Sequence, residues 1–226
     1  YVDVLASLDE APDVFSGGVD EQRALEWSPW IEGMYGEWVD GLLTADWDPD
    51  VEAIAALAPD LIVLQNNGAD ETVIQQLSQV APVYTEDSPR NWADAVTNMG
   101  KATGKSELAA QVIDETNAEF AAARERIAGL QGKTYLAGWA SDQDGSFWPF
   151  PEMGTFADEL GLVKADNMPV LPDRGTPISK ENLDLITADV VLGSSNDGHY
   201  MEFVSDPRFA EMPAVTNGTM VLLEPL

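Results

Sequence analysis

The feature that most limits how this chain can fold is a helix-then-strand unit that occurs twice. Residues 52–64 read EAIAALAPDLIVL and residues 181–193 read ENLDLITADVVLG, an offset of 129 that aligns a leading glutamate, three apolar helix positions, an aspartate and an apolar run. Asp50 and Ser179 stand two places before Glu52 and Glu181. An N-cap side chain there takes up a free backbone N–H, and an acid in the first turn suits the positive end of the helix dipole. Ile54, Leu57, Leu183 and Ile186 are predicted to face inward. Residues 61–64 and 190–192 are short apolar runs without alternation, as expected of strands covered on both faces. Duplication of such a unit predicts two lobes of like construction.

Between the copies, residues 106–130 contain no proline, no glycine before Gly129, and apolar residues Leu108, Val112, Phe120, Ala123 and Ile127 at three- and four-residue spacing. This predicts one long helix of roughly 37 Å at 1.5 Å per residue, a rigid connector between the lobes. The expected plan is an N-terminal lobe over 1–104, a linker helix over 105–131 and a C-terminal lobe over 132–226. Further strands are predicted at 14–16, 80–84, 134–137 and 220–223, and helices at 70–79, 91–103, 155–160 and 206–212. Alternating elements give an α/β class: two Rossmann-like lobes with parallel sheets, joined by a single long α-helix, with a ligand cleft between them. Aperiodic segments fall at 27–47, 66–70, 141–153, 165–177 and 193–200. Several follow a strand directly, and ligands of open parallel sheets sit beyond the carboxyl ends of strands.

Composition removes whole classes of function. With 40 acidic against 11 basic residues and a net charge of −29, the chain has no basic patch for a nucleic acid. It has no cysteine and one histidine, His199, so disulfides, thiolate metal sites and a Ser–His–Asp triad are unsupported. No run approaches the ~20 apolar residues of a membrane span, and no basic-then-apolar leader begins at Tyr1. Carboxylate pairs carry no signal in so acidic a chain. The glycine pairs match no phosphate cradle, and GSSND at 193–197 is no nucleophile elbow. Binding is expected, not catalysis.

Aromatic residues supply the binding candidates. Residues 27–47 hold Trp27, Trp30, Tyr35, Trp38 and Trp47, far above the 8% aromatic content of the whole chain. Trp139, Phe147, Trp148 and Phe150 follow the 134–137 strand, His199 and Tyr200 follow the 190–192 strand, and Tyr84 ends the 80–84 strand. Rings of this kind wall a small-molecule site or close minor cores under loops, and only their grouping argues for the former. Arg174, in LPDRGTP, and Arg90, in DSPRNW, are the candidate ligand-facing cations, because a guanidinium binds an oxygen-rich ligand through two parallel bonds. No side chain is assigned to metal ligation or catalysis.

The segments PDVEAIAALAPDLIVL, APVY, NWADAVTNMGKATGK, the long helix, DELGL, ISKENLDLITADVVL and DPRFAEMPAVTNGTMVLLE occur in this order over nearly the whole chain. Together they resemble the periplasmic-type substrate-binding proteins that deliver ferric siderophores, haem or vitamin B12 to ABC importers. The resemblance implies an extracytoplasmic, monomeric binder, attached to a membrane only through a lipid anchor outside this chain. It also implies a first strand before Tyr1 and a tail after Leu226. In that family one acid on each lobe docks with arginines of the permease dimer, and Glu52 and Glu181 occupy the matching positions. A bare transition metal fits poorly with a single histidine, so a chelated metal is the implied cargo and no resident cofactor is expected. The acidity disfavours polyanionic chelates and points to a hydroxamate-type Fe(III)–siderophore. Two other readings stand beside it: a corrinoid or haem with His199 or Tyr200 as axial ligand, and an acidic glycoside-processing enzyme stacking sugars on its rings.

Overall fold

Asp50 opens the first copy of the repeat as its position requires. In the computed structural model, which describes residues 2–44, 48–66, 70–87, 91–141, 144–150, 155–165, 176–194 and 201–223, its side chain accepts the Ala53 N–H at 3.0 Å and starts helix Val51–Ala56. Strand Ile62–Asn66 follows. Leu57 departs from the inward position expected of it: the helix has ended, Ala58 turns away at φ 48°, and Leu57 is 42% exposed.

The second copy differs more. Lys180–Leu185 is a 3-10 helix broken at Asn182 (φ −118°, ψ 20°), and Ser179 makes no side-chain cap bond to the backbone. The Asn182 amide donates to the Ser179 hydroxyl at 3.2 Å, and that hydroxyl also holds the Glu181 carboxylate below its ordinary pKa, after the larger effect of the Glu181 backbone N–H. Local side-chain bonds of this type compete with regular helix. Leu183 and Ile186 are buried as expected, and strand Val190–Ser194 follows.

The chain divides into two compact units, Tyr1–Thr116 and Asn117–Pro225. The first contains α1 (Val2–Ser7), β1 (Val14–Phe15), α2 (Glu21–Trp27), β2 (Glu37–Trp38), α3 (Val51–Ala56), β3 (Ile62–Asn66), α4 (Glu71–Val80), β4 (Val83–Asp87) and α5 (Trp92–Ala102). Its strands form two parallel pairs, β1 with β2 and β3 with β4. Residues 27–47 are therefore not wholly irregular, and the strand expected from residue 80 starts at Val83 because α4 keeps its helical hydrogen bonding through Val80. Helix α6 (Ser106–Arg126) runs across the division, and a short 3-10 turn, Ala128–Leu130, completes the predicted 106–130 segment.

The second unit holds β5 (Thr134–Ala140), β6 (Phe147–Pro149), α7 (Thr155–Glu159), β7 (Val163–Lys164), β8 (Val190–Ser194), α8 (Met201–Ser205), α9 (Pro213–Thr216) and β9 (Met220–Leu223). The sheet order is β6-β5-β8-β9, with β7 pairing the start of β5. All pairings are parallel except β5 with β6, beyond whose last pair the Ser141 N–H donates to the Ser146 carbonyl at 2.8 Å. The helix expected over 206–212 is a 3-10 turn, Phe209–Glu211, because Met212 is extended and Pro213 restarts the chain as α9.

Alternation along the strands divides this unit's core between the two sheet faces. Leu136, Phe147, Val191 and Phe203 pack on one side; Tyr135, Ala137, Ala157, Leu162 and Leu192 pack on the other. In the first unit Leu5, Leu8, Val96, Met99 and Ala109 form the main cluster. There α5 and α6 approach closely enough that a methyl at Gly100 would stand 2.5 Å from the Ala109 Cβ. Among the described residues no helix is long and apolar enough to cross a membrane. Replacing Gly100 with alanine is expected to lower unfolding stability by about 1–3 kcal/mol, the usual cost of overpacking, and urea denaturation measures it.

Candidate functional site

The sequence places an aromatic residue at the carboxyl end of a parallel strand in each unit. In the first, Phe15 and Trp38 are the last register pair of β1 and β2. Their rings meet edge-on at 5.3 Å, and Tyr35 closes the group at 5.2 Å from Phe15 and 5.8 Å from Trp38. The polar edges of two rings are tied to carboxylates: the Tyr35 hydroxyl donates to Glu21 at 2.8 Å, and the Trp38 indole N–H donates to Asp40 at 2.8 Å. Burial, reinforced by the Glu21 hydrogen bond, pushes the Tyr35 hydroxyl up to about 12, so it remains a donor at neutral pH. Gly17 lies against this wall, its missing Cβ position only 3.1 Å from the Trp38 ring.

The second unit builds the same kind of feature from an antiparallel turn. Trp139 on β5 is directly opposite Trp148 on β6, so both rings stand on one face with centroids 6.0 Å apart. Phe150, two residues beyond Trp148, shares that face and stacks on Trp139 at 4.7 Å with planes 21° apart. Tyr135 and Ala137 occupy the same face lower on β5 and are buried in the core with Ala157 and Leu162. Trp139, Trp148 and Phe150 belong to none of the core clusters and stay half-buried. Phe147 points the other way into the core against Phe203.

A small polar relay fixes this second wall. The Trp148 indole N–H donates to the Ser146 hydroxyl at 3.1 Å, and that hydroxyl, on a residue 2% exposed, donates to Asp144 at 2.7 Å. The Ser146 backbone N–H reaches the same carboxylate oxygen at 3.0 Å. These two bonds from Ser146 hold the Asp144 carboxyl below its ordinary pKa, against the opposing effect of burial, with smaller help from Ser141 and Lys180. Asp144 is thus an anion linked through Ser146 to the indole edge of Trp148 across the pH range of a cell.

Of the residues proposed from sequence, Trp139 and Trp148 come together, and Trp30 is 52% exposed on a 3-10 turn, Pro29–Ile31. Tyr84 lies half-buried against the Leu5, Leu8 and Met99 cluster. Trp27 ends α2, with its ring outside the described residues; Trp47, Arg90, Arg174, His199 and Tyr200 also lie outside them. Glu52 and Glu181 are both exposed in the first turns of their helices. Sequence reasoning missed Phe15, Asp40, Asp144 and Ser146. The period-two spacing of Trp148 and Phe150, and the Trp38-x-Asp40 spacing, were the available signals. Among the described residues no group of three or more histidine, cysteine or acidic side chains is placed to hold a metal ion.

The geometry can be set beside known proteins. Residues 11–225 match the family described as Periplasmic binding protein. The chain is 31% identical over 185 residues to the ferric enterobactin-binding periplasmic protein FepB of Escherichia coli O6:H1, covering 75% of this chain and 58% of that protein. It is 28% identical over 187 residues to the probable siderophore-binding lipoprotein YfiY of Bacillus subtilis, covering 76% and 57%. The chain therefore spans less than three fifths of the length of these relatives. Among solved structures, a periplasmic solute-binding protein of Mycobacterium smegmatis superposes with a TM-score of 0.76 at 21% identity, over 99% of this chain and 79% of that one. FhuD2 of Staphylococcus aureus with bound ferrioxamine B gives 0.72 at 16% identity, over 98% and 84%. At these identities the structural likeness establishes the fold. The family consists of extracytoplasmic substrate-binding transport proteins, not enzymes, which removes the glycoside-processing reading. Matched over all but its first ten residues and its last, the chain belongs to the Periplasmic binding protein family.

Proposed function

We propose that this protein captures a ferric siderophore outside the cytoplasm and delivers it, as a monomer, to the permease dimer of an ABC importer. The observation that carries this reading is the three-ring wall at the strand ends of each unit, in a chain whose relatives are named for ferric enterobactin, a siderophore and an iron(3+)-hydroxamate. The rings pack on the apolar scaffold of the chelate, and the iron stays with the oxygens the chelate itself supplies. Arg90 and Arg174 are proposed to meet those oxygens, with Trp27, Trp30, Trp47, Tyr84, His199 and Tyr200 completing the contact surface. A hydroxamate chelate fits better than a tris-catecholate, because a net charge of −29 repels a polyanion.

Glu52 and Glu181 are proposed as the permease contacts, one in each lobe. Both are exposed, and each is held in a first helical turn as a pre-oriented charge. The lobes are proposed to span 1–104 and 132–226, with 105–131 as the linker.

Ferric hydroxamate added to the protein is expected to quench tryptophan fluorescence saturably, with the chelate recovered unchanged. Absence of quenching by any ferric chelate, or release of a modified product, would contradict capture. The double variant Glu52→Ala, Glu181→Ala is expected to keep chelate affinity within about twofold, since rim charges act on partner docking, while uptake by the transporter is lost. Equal loss of both would contradict the docking role.

A further inference from the structure

We infer that the ligand carries a cationic group, an ammonium or a similar protonated amine, and that the Trp139–Trp148–Phe150 wall receives it on its ring faces beside Asp144. The inference rests on the siderophore-capture reading and narrows its substrate class. An aromatic ring is negative on its face and positive at its edge, and a cation within about 6 Å of the ring centre is attracted, most strongly to tryptophan. Here the positive edge of Trp148 is already satisfied: its N–H is tied through Ser146 to Asp144. That relay places an anion at the indole edge of the wall, and the ring faces not taken up by the Trp139–Phe150 stack are what a cation would meet.

Three of the second unit's seven basic side chains are already paired with carboxylates. Arg124, Lys133 and Arg208 are each committed to a carboxylate, on Glu159, Asp189 and Asp206 respectively. Lys180 acts on Asp144, but as the weakest of the influences on it. Residues 117–225 carry 17 acidic and 7 basic side chains, so the surrounding field favours a cation as well. The first unit repeats the chemistry in its own wall, where Tyr35 and Trp38 turn their polar edges to Glu21 and Asp40. An apolar or anionic ligand would gain nothing from carboxylates held at the ring edges, whereas a cation gains from both rings and carboxylates.

The test compares ferrioxamine B, a trihydroxamate ending in an ammonium group, with its N-acetyl derivative, which has the same iron centre and no terminal charge. Binding to the wild-type protein is followed by tryptophan quenching in 0.1 M and 1 M KCl. The cationic chelate is expected to bind about tenfold more tightly, the scale of a partly desolvated cation–π contact. The difference is expected to persist in 1 M salt, where the Debye length is about 3 Å and long-range attraction is screened. Trp139→Leu and Asp144→Asn should each weaken the cationic chelate more than the acetylated one, so that the gap shrinks. Equal affinities would overturn the inference and leave siderophore capture standing. So would a gap that vanishes in 1 M salt, or one that survives Trp139→Leu at full size. Failure of both chelates, together with a neutral ferric hydroxamate, would overturn capture and inference together.

Discussion

The Asp189 carboxylate fixes where strand β5 begins, and most of the second unit's chemistry depends on that register. It accepts the Thr134 N–H at 3.0 Å, the Thr134 hydroxyl at 3.0 Å and the Lys133 ammonium at 3.1 Å, at the point where β8 is about to start. These bonds, that from the Thr134 N–H first, hold Asp189 below its ordinary pKa. With Tyr135 thereby set against Val190, Trp139 falls opposite Ser194 on one side and Trp148 on the other. A slip of one residue would turn Trp139 to the opposite face and bring Tyr135 out of the core. The aspartate of the repeat is therefore the origin from which the ring wall is measured.

Packing then decides how much of each strand is core and how much is site. Along one face of β5, Tyr135 and Ala137 are covered by Ala157 of α7 and by Leu162, but Trp139 lies beyond that cover and packs on Trp148 and Phe150. The first unit reaches a similar result with two-residue strands, because Phe15 and Trp38 are both the last paired residues and the ones left to pack on Tyr35. Aromatic side chains at strand ends serve both needs, since their area closes the sheet while their faces stay available to a ligand.

Much of this is legible in the sequence. The repeat at residues 52–64 and 181–193 announced its two strands, and the spacing of Leu108, Val112, Phe120 and Ile127 announced α6. The resemblance supplied the family. What stayed hidden depended on competition that a periodic pattern does not encode. Asn182 and Ser179 bond to each other and turn an expected α-helix into 3-10. Ala58, in a left-handed conformation, carries Leu57 out to solvent. The Ser146–Asp144 relay is local in sequence, yet one aspartate among 40 acidic residues is invisible until a hydroxyl and an indole converge on it.

Acidity and aromatic walls together form the central claim, that the strand ends of this chain hold a ferric chelate. Hydrogen exchange with and without a saturating ferric trihydroxamate tests it most directly. Binding should slow amide exchange across residues 138–150, while the α5–α6 contact around Gly100 and Ala109 keeps its rate. Protection confined to the α5–α6 region, or none in 138–150 at saturation, would contradict the account.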